Sequence, residues 1–366
     1  MVRSYFPLML WLLSCFTLMG QMPQNGDTLY GNDWIDEAAT YYRIPITEDG
    51  LYRLSTQQLI DAGIPVDQIQ ASEYRMFHLG EEVPLHLSTD QVLTQGDYIE
   101  FRGEKNKNGL DRFLFEDGME DQLNPHYSLF TDTAAYYLSW KEGIPGKRYR
   151  TYDYGSIDPD LPEQDWFYQT IRNSYSERHV KPYTKVGGIN VARSRYVQGE
   201  GYGSDYKKAH SIAYTLHGLQ ANVGEVVCYV SLIGSYSDHH LQIRANDSLI
   251  FEDSLDAFGF RSLDLTIPEE YISQDLTITI EGILGNSDKY ALGHISLTYP
   301  RSTSSVDAPI QQMKFQERDS SLVRWNSLSS SEEYIFYRPD QNQRIIPGLK
   351  DGSPAFPLGS SEQLET

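Results

Sequence analysis

Cysteine is nearly missing from this chain: its 366 residues include two, Cys15 and Cys228. Cys15 falls in a leader-like stretch, so the mature chain is expected to keep one thiol. A single thiol cannot close an internal disulfide. It is left as a nucleophile, an intermolecular link or a buried small hydrophobe. Basic residues are also short: 30 Lys and Arg stand against 51 Asp and Glu, a formal charge of −21. The acids are spread along the chain. Phosphate binding needs a basic footprint, so nucleic acid is excluded as a partner. The charge itself speaks to solubility.

Long apolar runs are missing beyond the N-terminus. No other stretch of about 20 apolar residues exists, so no transmembrane segment is expected. The N-terminus reads as an export signal over residues 1–20. Arg3 supplies the positive start, Pro7 to Met19 is almost wholly apolar, and Gly20-Gln21 suits cleavage. "LLSC", ending at Cys15, resembles a lipobox, but the apolar run continues through Phe16, Leu18 and Met19. GxSxG, HExxH, the P-loop and a GxGxxG opening a helix are all absent. No cofactor is expected.

What is present points to strands. Tyr occurs 27 times, aromatics reach 13% and hydrophobic residues 40%, so a packed core is feasible. Short Tyr-, Thr- and Val-rich runs between Gly and Pro breaks predict a mainly all-β chain. The expected architecture is a small N-terminal β-rich domain with one short helix, over 28–156, followed by an antiparallel β-sandwich over 205–301. In the first part, "TYYRIPITEDGLYRLS" reads as strand, turn, strand, and "YRMFHLGEEVPLHLS" as a hairpin. Thr56 to Ala62 is the helix, capped by Ser55 and ended by Gly63. "DYIEFRGE" and "AAYYLSW" are further strands. Residues 157–204 read as a connecting region. Seven short strands from "SIAYTLHGL" to "HISLTYP" then form the sandwich. Residues 302–366 read as a partial β unit whose tail, "DGSPAFPLGSSEQLET", is a linker.

One stretch invites a catalytic reading. In "AYTLHGLQANVGEVVCYV", Ala213 to Val230, an apolar run ends in His217-Gly218 and a second contains Cys228. Clan CD cysteine peptidases present His-Gly and Cys at the ends of parallel, adjacent strands. Parallel neighbours need a crossover of a dozen or more residues. Only seven, Leu219 to Glu225, are available here, and they include the turn residues Asn222 and Gly224. The expectation is an antiparallel hairpin with Cys228 facing the core beside Val226, Val230 and Leu232, where a thiol is inert. No catalytic, cofactor-binding or metal-binding residue is assigned. Asp238-His239-His240 has no third ligand at a diagnostic spacing. His78, His86, His126, His179, His210 and His294 are scattered singly. "EKNKNGLD" offers Glu104, Asn106, Asn108 and Asp111 like a calcium loop, but Phe115 stands where the twelfth-position Glu belongs. It reads as a polar turn. Trp140, Trp166 and "YRTYDYG" are candidate sugar-stacking aromatics for the alternative of a carbohydrate-binding module.

Several stretches taken together resemble one family. "DWIDEAATYYRIPITEDGLYRLSTQQLIDAGIP", "HLGEEVPLHL", "GDYIEFRGEKNKNGLD", "QLNPHYSLFTDTAAYYLSW" and "GHISLTYPR" are similar to the N-terminal, non-catalytic region of the PorU family. These are the gingipain-like C-terminal signal peptidases of the type IX secretion system of Bacteroidetes. The resemblance covers about Asp33 to Arg301 and weakens toward Arg338. It implies an exported protein of the periplasm or outer-membrane surface. The implied partners are the outer-membrane β-barrel PorV and a C-terminal peptidase domain. No position here matches the family's catalytic residues, so none is carried over. The chain is therefore expected to be a fragment without proteolytic activity, with a structural or docking role; an active cysteine peptidase is the least favoured alternative.

Overall fold

The computed structural model describes residues 22–24, 27–29, 32–155, 157–158, 160–304, 313–315, 321–328, 333–358 and 363–364. The export signal expected at 1–20, with Cys15, lies outside them. Strands dominate, most sheets are antiparallel, and one short α-helix is present among the described residues, so the chain is mainly all-β. It divides into two units. One comprises 1–44, 54–99 and 135–147, the other 45–53, 100–134 and 148–366.

In the first unit the helix spans Thr56–Asp61, with a capping box. Ser55 accepts from the Gln58 amide, and the Gln58 side chain accepts from the Ser55 amide at 2.8 Å. Gly63, at φ +83°, ends it where an L-residue would be strained. Tyr74–His78 pairs antiparallel with Glu81–Val83, as the turn chemistry predicts. Trp34 packs against Tyr41, Phe77 and Tyr137 at centroid distances of 5.1 to 5.5 Å. The "TYYRIPITEDGLYRLS" strands form, as Tyr42–Ile46 and Gly50–Ser55, with residues 45–53 belonging to the second unit, but they enter different sheets and do not pair.

The second unit is built on a β-sandwich of eight strands: β1 Trp166–Ser174, β2 Ala209–Thr215, β3 Val226–Gly234, β4 His239–Ala245, β5 Ser248–Leu255, β6 Phe260–Ile267, β7 Asp275–Gly282 and β8 Tyr290–Ser302. One sheet orders β6-β3-β8-β1 and is extended by Met313–Lys314 and Gln363–Leu364; the other orders β2-β7-β4-β5. Alternation decides which faces meet. In β4, Leu241, Ile243 and Ala245 are buried while His240, Gln242 and Arg244 are partly wet. Cys228, Val230, Ile295 and Leu297 from one sheet meet Ile243, Leu276, Ile278 and Ile280 from the other in one core.

Two expectations fail here. β2 and β3 are not a hairpin: β2 pairs with β7, β3 pairs with β6 and β8, and the 216–225 connection crosses from one sheet to the other. A short polar connection fits both a hairpin and a sheet-to-sheet corner, and burial of both strands' apolar faces selects the corner. The region 157–204 is also not a plain connection. β1 lies inside it and pairs along nine residues with β8. Its polar run of Gln169, Thr170, Arg172, Asn173 and Ser174 hides a strand whose one apolar edge, Phe167 and Ile171, is enough for packing.

The C-terminal part is a sheet region of its own. Glu163–Gln164 runs parallel to Ser321–Arg324, which pairs with Ser353–Leu358; Arg150–Asp153 runs parallel to Gln343–Ile346. Trp325, Phe336, Phe356, Ile345 and Phe167 share its core. The predicted linker "DGSPAFPLGSSEQLET" thus contributes a buried strand. Its two prolines disguise it, because Pro donates no ladder hydrogen bond and argues against a strand in sequence.

Candidate functional site

Cys228 is fully buried in the sandwich core, and burial, with the nearby Asp264 charge, pushes its thiol up to about 12. At neutral pH it carries no thiolate, the form that attacks. His217 follows the end of β2 in the opposite sheet, and its carbonyl accepts from the Tyr299 hydroxyl at 3.2 Å. The two are not brought together as a dyad.

The other predicted positions are satisfied locally. His239 and Asp288 form a buried pair at 2.7 Å, and Asp288 also accepts the His240 and Leu284 amides. His240 meets Glu252 at 2.5 Å on the outside of β4. Among the described residues no three His, Cys, Asp or Glu are grouped to hold a metal ion. In the calcium-like loop, Asn108 and Asp111 turn inward, where the Asp111 carboxylate accepts from the Leu129 amide at 2.7 Å. The aromatic candidates are mostly packed: Trp166 is buried edge-on to Tyr168, Tyr149 against Tyr337, and Tyr154 stacks on Phe356. Trp140 stacks on Tyr42, and Tyr152, 36% exposed, stacks on Tyr154.

Sequence reasoning missed the polar outer face of the larger sheet. Register places Arg172, Ser296 and Tyr229 side by side across β1, β8 and β3, with Ser174, His294 and Ser231 in the next row. A bulge sets this row. Ser231 faces His294 and Leu232 faces Leu292, leaving Gly293 unpaired. A side chain at Gly293 would run into the Leu123 carbonyl, which accepts from Ser231 Oγ at 2.6 Å. The glycine therefore lets residues 122–126 lie against the face, and His126 comes to rest 4.3 Å from His294, centroid to centroid.

Ser174 Oγ lies 2.8 Å from His294 Nδ1, a nucleophile-to-base distance. The rest of a triad is absent. His294 Nε2 is buried without a hydrogen-bond partner, so no carboxylate orients the ring. Burial first, then the His126 and Arg172 charges, pushes its pKa down to about 3, too low for a useful base near neutrality. His126 is pushed down to about 4 by burial and by Arg172, Lys107 and Lys105. His210 is likewise held to about 4, by burial and then Lys207, and is fully engaged by Tyr290 and Ser204. The face exposes Arg172 and Ser174, with Tyr229 and His126 partly exposed, while His294 and Ser231 are fully buried beneath the 122–126 segment. It does not assemble a base, a nucleophile and an oxyanion hole.

A cleft of about 400 Å³ opens at one end of the sandwich. The 216–225 connection supplies Leu219, Gln220 and Asn222 to its wall, opposite Ile267, Pro268 and Glu269. The stretch that suggested a peptidase dyad is thus the wall of a groove.

The sequence matches no protein-family model and no curated protein. Among solved structures, the fold is similar to that of dimeric latent PorU from Porphyromonas gingivalis, with a TM-score of 0.60 at 14% identity, over 89% of this chain and 32% of that one. The chain thus spans about a third of that protein's length. Two sugar-related structures superpose only loosely. These are the CBM36-1 domain of a multidomain xylanase from the hindgut metagenome of Trinervitermes trinervoides (TM-score 0.20, 6% identity, 36% of this chain and 95% of that one) and BuGH86 in complex with neoagarooctaose (0.21, 10%, 71% and 32%). Overlaps that loose carry no argument. What the comparison with PorU does show is the architecture: this chain has a PorU-like fold.

Proposed function

We propose that this chain is the exported, non-catalytic N-terminal part of a PorU-like signal peptidase, with a structural and docking role at the cell surface. The observation that carries the reading is the fold likeness to PorU along 89% of the chain. The chemistry of the described residues is in keeping with it. Among the described residues Cys228 is buried and protonated, and in the Ser174–His294 and Ser204–His210 contacts the imidazole is too acidic to act as a base. The work of such a part is to hold other parts: a gingipain-like peptidase domain and an outer-membrane β-barrel of the PorV type.

The test is co-purification of the folded chain with a separately produced PorU peptidase domain and with PorV. Retention of either supports the docking role. If the chain is folded by circular dichroism and retains neither, the role is wrong. Added peptidase activity should also be absent: cleavage of a model substrate by the chain alone, abolished in Cys228→Ser, would overturn the non-catalytic reading.

A further inference from the structure

One element of the second unit pairs with nothing but itself. Thr184–Val186 and Ile189–Val191 form a two-stranded antiparallel sheet. Gly187 and Gly188 make its turn, at φ +57° and +80°, the left-handed pair that a type I′ hairpin requires. A side chain added at either glycine would meet open space, so the turn projects.

Register sorts the side chains. Thr184 faces Val191 and Val186 faces Ile189, so these four share one side of the ribbon. Val186 is 49% exposed, Ile189 68% and Val191 37%. An isolated two-stranded ribbon is at best marginally stable in water, and an aliphatic face on one is a surface awaiting a cover.

Charge says what kind of cover. Residues 178–199 carry Arg178, Lys181, Lys185, Arg193 and Arg195 and no acid, in a chain of net charge −21. Arg178, Lys181 and Arg195 are paired at the hairpin's base with Asp205, Glu200 and Glu116. Arg193, exposed just beyond the second strand, has no carboxylate partner among the described residues.

We propose that the Thr184–Val191 hairpin is a docking arm for a protein partner whose contact surface is aliphatic at its centre and acidic at its rim. β-Branched side chains suit the pleated, half-buried surface of another protein. A lipid surface is disfavoured. The tip, Thr184–Val191, has no Trp, Tyr or Phe to anchor it in an interface; Tyr183 at its base is 48% exposed and packs beside Phe258 at 5.5 Å. An acidic body would also be repelled by anionic lipid.

The inference rests on the docking role proposed above and can fail separately from it. The experiment places the photo-reactive residue p-benzoylphenylalanine at Ile189 in the full chain, irradiates native cells, and maps the adduct by peptide mass spectrometry. The expected result is one protein adduct, cross-linked within an aliphatic patch flanked by Asp and Glu. Its yield should fall by about tenfold or more in a Val186→Ser/Val191→Ser background, as for truncation at the centre of an interface. It should also fall when Arg193→Glu reverses the rim charge, in a variant whose melting curve is unchanged. A lipid adduct, an adduct only with another copy of this chain, or no adduct overturns the arm. So does co-purification with the peptidase domain or PorV that survives the same substitutions unchanged. Loss of co-purification in the unsubstituted chain would instead count against the docking role.

Discussion

At the scale of the residue, burial decides chemistry. Cys228 is the clearest case: the core that excludes water also keeps the thiol protonated. It should resist a thiol reagent at neutral pH in the folded protein and react at once in urea; rapid native labelling would contradict its placement. Cys228→Ser should cost about 1–3 kcal/mol in urea unfolding, because a hydroxyl enters the core without a partner. Glu100 is the opposite case, a buried charge that is held. It accepts from Arg53 at 2.8 Å and from the Tyr337 hydroxyl, with Arg344 at 3.9 Å. Glu100→Ala would strand the Arg344 guanidinium, and a loss of about 3 kcal/mol or more is expected in the same measurement. The inward face of Cys228 was legible in the sequence, because alternation with Val226 and Val230 is local. Glu100 was not, because Tyr337 lies 237 positions away and no short-range pattern announces it.

At the scale of the element, the legible features were again those whose cause is local. The Thr56–Asp61 helix was readable from its Ser55 cap, and Ser55→Ala should cost about 1 kcal/mol by thermal or denaturant unfolding. All seven sandwich strands expected from the turn spacing are present, as β2 to β8. Their pairing was not readable in the same way. The 216–225 stretch has hairpin chemistry yet turns a corner between sheets, since each strand finds a better partner elsewhere. β1 escaped notice because its strand character is imposed by β8, from which it is separated by over a hundred residues. The outer polar face was invisible for the same reason: Arg172, Tyr229 and His294 meet only through register. Gly293 is the hinge of that arrangement. Gly293→Ala should push the Leu123 segment off the sheet, lowering stability by about 2 kcal/mol and disturbing the His126 and His294 imidazole resonances together.

At the scale of the whole molecule, three histidines make stability depend on pH. His126, His210 and His294 are depressed in the folded state to about 4, about 4 and about 3. The unfolded chain takes up these protons near pH 6.5, while the folded chain refuses them until about pH 4. Below about 6.5 the unfolded state therefore binds more protons, and stability falls as pH falls through that window. Thermal midpoints recorded between pH 7.5 and 4.5 should drop accordingly, with a shallower slope in His210→Gln and His294→Gln. A midpoint flat across that range would mean that these imidazoles are not buried as described.

The parallel pairing of Arg150–Asp153 and Glu163–Gln164 with strands after residue 320 has a consequence for the order of synthesis. A chain leaving the ribosome presents these two early segments long before their partners exist. They must wait, with unpaired backbone edges, while the sandwich strands are made. Completion of this region is therefore a late and slow event, as long-range parallel pairing is in general. A chain truncated after residue 300 should be cut by protease at Arg150–Asp153 and Glu163–Gln164, and the full chain should be protected there.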